Sequence, residues 1–398
     1  MSLQLDSATV QAAQRRLDVL GNNIANVNTV GFKGASFDAM LGSAMGTTGS
    51  SQTSGTVQNF SQGNVTSTNN PLDIAISGTG LFKLKSSSGQ EVYTRDGQFS
   101  LNQSGEIVNS SGDKLLGSDN NKIVIDVNEI NPKNTTTKAT LGLTLDSRKD
   151  PITTTFNLSD PTTYTHSTTT PIYDDSGTLK NVQTFYAKTS ATDWDVYYAI
   201  NGVVVNDATG PLKSRLSFDS SGTINTTASQ NLTASVPINI DPLTGLIATG
   251  STSTMAVDLT SAKQFGASFA ATMTQDGYPS GQMTGYKVGG DGVITAVYSN
   301  GKTAVKGQLN IVTFKNLQGL AATGTNQWIE TPASGAPITG LPGTLGLGTL
   351  KGSSTEDSNV DLTVEMIKLI SAQRAFQSAA EVVKKQDEIL QGVVHIGQ

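Results

Sequence analysis

The 398-residue chain contains no cysteine, which excludes a disulfide scaffold, a thiolate metal centre and a cysteine nucleophile. Histidine is almost as scarce. His166 and His395 fall in different segments, so neither a histidine metal site nor a Ser-His-Asp triad finds its residues. Aromatic residues make up 6% and tryptophans number two, a poor supply for a sugar-stacking cleft. Charge is low, at 15% with a net of −6. That is too sparse for a disordered polyelectrolyte, and no basic patch marks a nucleic-acid binder. No apolar run reaches the roughly 18 residues that span a bilayer, so no membrane insertion is expected. Asp6, Arg15, Arg16 and Asp18 interrupt any apolar core of a secretory signal near the N-terminus, so export is expected by a route without a cleaved signal.

What the chain has in quantity is Gly, Ser, Thr and Asn, the vocabulary of turns and exposed strands. Two stretches stand apart. Over residues 3–27, Leu3, Val10, Leu17 and Ile24 recur every seventh residue, with Ala13, Leu20 and Val27 between them. Over the last forty residues, Leu362, Leu369, Phe376, Val383 and Leu390 do the same, joined by Met366, Ala372, Ala379 and Val393. Spacings of three and four place each set on one stripe of a helix, and a seven-residue repeat makes the stripe a coiled-coil seam. Such stripes need partners: the two helices pack on each other, or on each other and on further copies of the chain.

The organisation between them is close to a palindrome. Residues 1–30 form a helix that ends at an Asn-rich exit and Gly31. Residues 31–70 are an arm, loosest over 42–68, where Gly, Ser and Thr dominate. A β segment covers 71–140, with Asp96-Gly97 as a hairpin turn between 92–95 and 98–101. Residues 141–272 have a different texture, with threonine runs and an Asn201-Gly202 hairpin, and read as an inserted outer β domain. A second β segment covers 273–333, a Gly/Ser-rich linker 334–357, and the second helix 358–398, with Ser358 or Asn359 as its N-cap. The expected fold is mainly β with a terminal α-helical coiled coil. The chain runs out and back like a hairpin through all-β middle and outer domains, and its two end helices pair.

No motif in the chain carries chemistry. Gly301-Lys302-Thr303 resembles the end of a phosphate loop, but Ala296 stands where its first glycine belongs and a strand follows instead of a helix. Gly289-Gly290-Asp291-Gly292 occurs once and reads as a β-turn. Asp174-Asp175 and Asp193/Asp195 sit beside a turn and along an alternating strand, which suggests solvent-facing charge rather than an acid–base pair. No enzyme activity, cofactor or metal is expected.

Four blocks resemble one family. Leu17-Asp18-Val19-Leu20-Gly21-Asn22-Asn23-Ile24-Ala25-Asn26 with Gly31-Phe32-Lys33, Leu72-Asp73-Ile74-Ala75-Ile76 with Gly80-Leu81-Phe82, Arg95-Asp96-Gly97-Gln98-Phe99, and Ser358-Asn359-Val360-Asp361-Leu362 with Ala372-Gln373-Arg374-Ala375-Phe376 are similar to the bacterial flagellar rod and hook proteins, the axial family. A length near four hundred with one large insert resembles the hook branch rather than the shorter rod proteins. A distal rod-type axial protein, or a secreted β-rich adhesin with a helical clasp, are the alternatives. The resemblance implies an extracellular homopolymer in which terminal helices of many copies form a tube. It also implies contacts with a distal rod protein, a hook–filament junction protein, a hook cap and the flagellar type III export apparatus. Phe37 and Leu41 fit the family's Phe-x-x-x-apolar export element; the same two side chains also read as an apolar pair packed on a neighbouring subunit.

Overall fold

The computed structural model describes residues 2–38 and 55–396. The fold is mainly β with a helix at each end: α1, Ser2–Ala25, and α2, Leu362–Ile396. α1 stops in turns where the Asn26 N–H donates to Asn22 O and the Asn26 side chain donates to the same carbonyl. α2 is capped by Asp361, not by Ser358 or Asn359. The Asp361 carboxylate accepts from the N–H groups of Thr363 (2.8 Å) and Val364 (3.1 Å), covering two of the donors a helix start leaves open. Asn359 is engaged in tertiary contacts instead.

One compact unit comprises Met1–Val127, Thr284–Val297 and Thr303–Gln398. Its main sheet has seven strands, in the order Ala321–Ala322, Gln327–Ile329, Glu91–Thr94, Phe82–Lys85, Lys114–Leu115, Ile107–Val108, Ser100–Leu101. Leu81, Tyr93, Val312, Phe314 and Trp328 form a buried cluster on it, with Tyr93 and Phe314 edge to face at 4.9 Å. Asp96-Gly97 is not a hairpin turn. Glu91–Thr94 pairs with Phe82–Lys85 and Gln327–Ile329, and Ser100–Leu101 pairs with Ile107–Val108. A two-residue hairpin needs positive φ at its centre, and Gly97 lacks it. Glycine is required there for a different reason: a Cβ would lie 1.8 Å from Ile74 O.

The stretch 334–354, loose by composition, contains strands. Ile338–Gly340 pairs with Ile311–Thr313, Thr349–Gly352 with Ile74–Ser77, and Ser354–Glu356 with Val65–Ser67. Within the first arm, Gly55–Gln58 pairs with Ala35–Asp38, while 42–54 lies outside the described residues. Backbone pairing between distant segments orders these stretches, and composition does not report such pairing.

A second unit comprises Asn128–Met283 and Tyr298–Lys302, wider than the 141–272 read from texture. Two five-stranded sheets share one core. In the first, Lys138–Asp146 is flanked by Thr254–Asp258 and Lys263–Phe265, both parallel to it, and also pairs with Ala270–Gln275. In the second, His166–Tyr173, Leu179–Lys188, Asp193–Ile200 and Lys213–Ser217 are antiparallel neighbours. Leu141, Leu143 and Leu145 alternate inward from one sheet to meet Tyr186, Trp194, Val196 and Tyr198 of the other. The Asn201-Gly202 hairpin is present, with φ of 50° and 82°. Asp195 is not solvent-facing. It is buried on this sheet's other face, accepting from Lys213 (2.8 Å) and Arg215 (3.1 Å). Asp174 is also buried, capping the turn through Ser176 and Thr178 N–H. Both carboxylates are spent on structure.

Candidate assembly interface

α1 and α2 pack against each other. The Asn23 amide near the end of α1 donates to the Glu365 carboxylate in the first turn of α2 at 3.1 Å, so the helices are antiparallel. Counting about 1.5 Å per residue outward from that contact brings Leu17 level with Ser371, one residue short of Ala372, and Ala13 level with Ala375, one residue short of Phe376. The residues shielded from solvent follow the heptad. On α1 they include Val10, Ala13, Leu17, Leu20, Ile24 and, just beyond, Val27, with Ala12, Val19 and Asn23 beside them; on α2 they are Glu365, Leu369, Ala372, Phe376, Ala379 and Val383.

Leu362, in step with Leu369 but level with Asn26 beyond the end of α1, and Met366, one position off the stripe, are 40% and 49% exposed. They belong to a second apolar surface that the seven-residue reading missed: Val364, Ile367, Ile370 and Val382 are also exposed. The first three turns of α2 are thus apolar on nearly every side, and one side is covered. A helix apolar all round is a buried helix. Leu3, Leu390 and Val393 fall within the helical spans, with side chains outside the described residues. Phe37 is half-buried on the strand Ala35–Asp38, opposite Thr56; Leu41 lies outside the described residues.

The helices are rooted in the β body by a joint of polar side chains. Asn23 exchanges two hydrogen bonds with the backbone of Ala35, at 2.8 and 3.0 Å. Asn359 accepts from Gly34 N–H and donates to Asn59 O, both at 2.8 Å. Below them, Glu356 receives Lys33 Nζ at 2.6 Å on one oxygen and Arg95 Nε at 2.5 Å on the other. Lys33 also donates to Ser61 O, and Arg95 to the carbonyls of Ile76, Gly78 and Gly80. Two cations share one anion here, and these four carbonyls, as hydrogen-bond acceptors, solvate the positive charge that the single carboxylate leaves over. Burial holds the Lys33 ammonium below the usual lysine range, against the opposing pull of Glu356. Gly31 closes the joint: its N–H donates to Glu356 O at 2.7 Å. Its φ is +66°, and a Cβ would lie 2.5 Å from the Arg95 carbonyl carbon.

This joint was not derivable from periodicity. Lys33, Arg95 and Asn23 stand inside the four family-like blocks, but nothing in their local spacing pairs them with Glu356 or Glu365, more than two hundred and fifty residues away. Among the described residues no group of three acidic or histidine side chains could hold a metal, and no helix is long and apolar enough to cross a membrane.

Four family models match the chain in order: flagella basal body rod protein over residues 6–33, the flagellar hook protein FlgE/F/G D1 domain over 75–142, the flagellar basal body protein FlaE D2 domain over 144–278, and the flagellar basal body rod FlgEFG protein C-terminal region over 351–394. The flagellar hook protein FlgE of Salmonella typhimurium is 33% identical, with 100% of both chains covered. That of Escherichia coli is 33% identical over 97% of this chain and 98% of its own. That of Borreliella burgdorferi is 29% identical over 99% of each. The crystal structure of Helicobacter pylori flagellar hook protein FlgE2 shares the fold, with a TM-score of 0.52 at 14% identity, covering 72% of this chain and 99% of that one.

Proposed function

The chain belongs to the flagellar hook protein family, and from that premise we propose how its own residues build the polymer. It is a structural subunit of the bacterial flagellar hook, a self-assembling protein and not an enzyme. The observation that carries the proposal is the start of α2, apolar on nearly all sides and covered on one. In our reading the stripe Val10, Ala13, Leu17, Leu20, Ile24, Val27 against Leu369, Ala372, Phe376, Ala379, Val383 holds the two helices of one subunit together. Leu362, Met366, Ile367 and Ile370 pack on the helices of other copies. Leu3, Leu390 and Val393 continue the seams outward.

The outer β domain, the β segments of the middle domain and the two arms then form the shells around that tube. Torque passes from rod to filament through a joint that bends because the shells touch through sparsely charged, aromatic-poor surfaces. The subunit meets the distal rod protein, the junction protein and the hook cap at the ends of the polymer. It leaves the cell through the flagellar type III apparatus without a cleaved signal, with Phe37 and Leu41 as its export element.

A truncation tests this. Removing 1–20 and 366–398 leaves Asn23, Glu365 and the polar joint in place and takes away Met366, Ile367 and Ile370. The remainder should be a folded, β-rich monomer while the full chain forms tubes visible by electron microscopy. A full chain that stays monomeric at high concentration would make the helices an intramolecular clasp and favour an adhesin.

A further inference from the structure

Histidine is the one side-chain type whose ordinary pKa falls in the mildly acid range, and the second unit contains a single one, His166. It opens the strand His166–Tyr173, which lies at the edge of the second sheet of that unit. Its ring lies flat on Phe269, with centroids 4.2 Å apart and planes 13° from parallel. Phe269 directly precedes Ala270–Gln275, which belongs to the first sheet. The stack therefore joins the two sheets along one edge of the sandwich. Tyr186, opposite His166 on the neighbouring strand, backs Phe269 at 5.3 Å.

The surroundings of the ring suit its neutral form. His166 Nε2 is buried and meets no hydrogen-bond partner among the described residues. The Tyr186 hydroxyl is already paired with Thr168 Oγ1 at 3.2 Å. The Asp146 carboxylate is gripped by Arg148 at 2.8 and 2.9 Å. Lys188, on the neighbouring strand, turns its ammonium to the carbonyls of Ser147 and Lys149. Burial, and then the charge of Lys149, hold the His166 pKa below the usual 6.5, against the pull of Asp146. The face of Phe269 attracts an imidazolium, but a charged, buried N–H without an acceptor costs more than that attraction returns.

The consequence for stability has a definite sign. When the folded pKa of a histidine lies below the unfolded one, the unfolded chain takes up the proton first. Stability is then full above about pH 6.5 and is lost as pH falls from there toward the folded value. Other shifted groups of this unit act far from that window: Asp146 and Asp219 are held at about 2, Tyr186 and Tyr197 at about 12.

We propose that the His166–Phe269 stack is an acid-sensitive catch on the second unit, released when the ring takes up a proton and the two sheets part along that edge. The first unit, with its helices and polar joint, stays folded over the same range. This inference does not depend on the chain forming a polymer.

The test uses the full chain in a Trp328→Phe background, where Trp194 fluorescence reports the second unit. Between about pH 7 and about pH 5.5 the folding equilibrium constant from urea denaturation should fall about fivefold. His166→Phe keeps a ring on Phe269 and cannot titrate, so it should show none of that fall. In the wild-type fold, the His166 ring proton signal, assigned by its absence from the variant, should titrate with a midpoint below 6.5. The Thr165 amide, which donates to Tyr186 O at 2.7 Å, should lose exchange protection at the lower pH once intrinsic rates are corrected. An equilibrium constant that does not change with pH, an equal fall in His166→Phe, or a His166 midpoint at or above 6.5 would overturn the inference. Should the variant fail to fold, the wild-type titration and the Thr165 exchange still decide.

Discussion

Lys33 Nζ sits 2.6 Å from Glu356 Oε1, each side chain 1% exposed, across a sequence separation of 323 residues. Arg95 holds the other oxygen of the same carboxylate, so one acidic group ties the exit of α1, the middle of the β body and the approach to α2. Glu356→Gln leaves two buried cations facing a neutral amide. Breaking a buried pair in this way costs about 3–5 kcal/mol. The loss should appear in urea denaturation followed by Trp328 fluorescence in a Trp194→Phe background, which isolates this unit from the other. A change below about 1 kcal/mol would contradict the role given to Glu356.

Asp361 makes a smaller and more local contribution. Asp361→Ala should lower stability by about 1 kcal/mol. It should also speed hydrogen exchange at the amides of Thr363 and Val364, which its carboxylate now accepts. Ser358→Ala, at the position first read as the cap, should leave both amides protected.

Acid sensitivity of the first unit should centre on Glu106. Hydrogen bonds from Lys122, Lys114 and Asn102 hold its carboxyl at about 2, below its usual 4.5. A depressed folded-state pKa stabilises the fold in full above the unfolded value and loses that contribution as pH falls toward the folded one. Wild type and Glu106→Gln should therefore differ in melting temperature at pH 6 and converge as the pH drops from about 4.5 to about 2. A gap independent of pH would show that Glu106 acts through shape alone.

The sequence and the structure agree best where the pattern is local. The α1 stripe is legible because helix periodicity ties neighbouring residues to a common face, and the Asn201-Gly202 turn because its φ values demand those residues. The stretch 349–356 was not legible: its strands are ordered by backbone pairing to 65–67 and 74–77, which leaves no mark on composition. Asp96-Gly97 misled because glycine was needed for close approach to Ile74, not for a hairpin. Leu362 and Met366 misled in a similar way. Leu362 keeps the seven-residue count but lies past the last residue of α1, and Met366 falls one position off the stripe; their exposure is what points to further copies.

The central claim, that the uncovered side of α2 binds other subunits, is tested most directly by charging that side without touching α1. Ile367 and Ile370 are 61% and 52% exposed. In Ile367→Asp/Ile370→Asp, circular dichroism of the monomer should match wild type, and electron microscopy should find no tubes where wild type forms them. Tubes of normal form and yield from this variant would contradict the account.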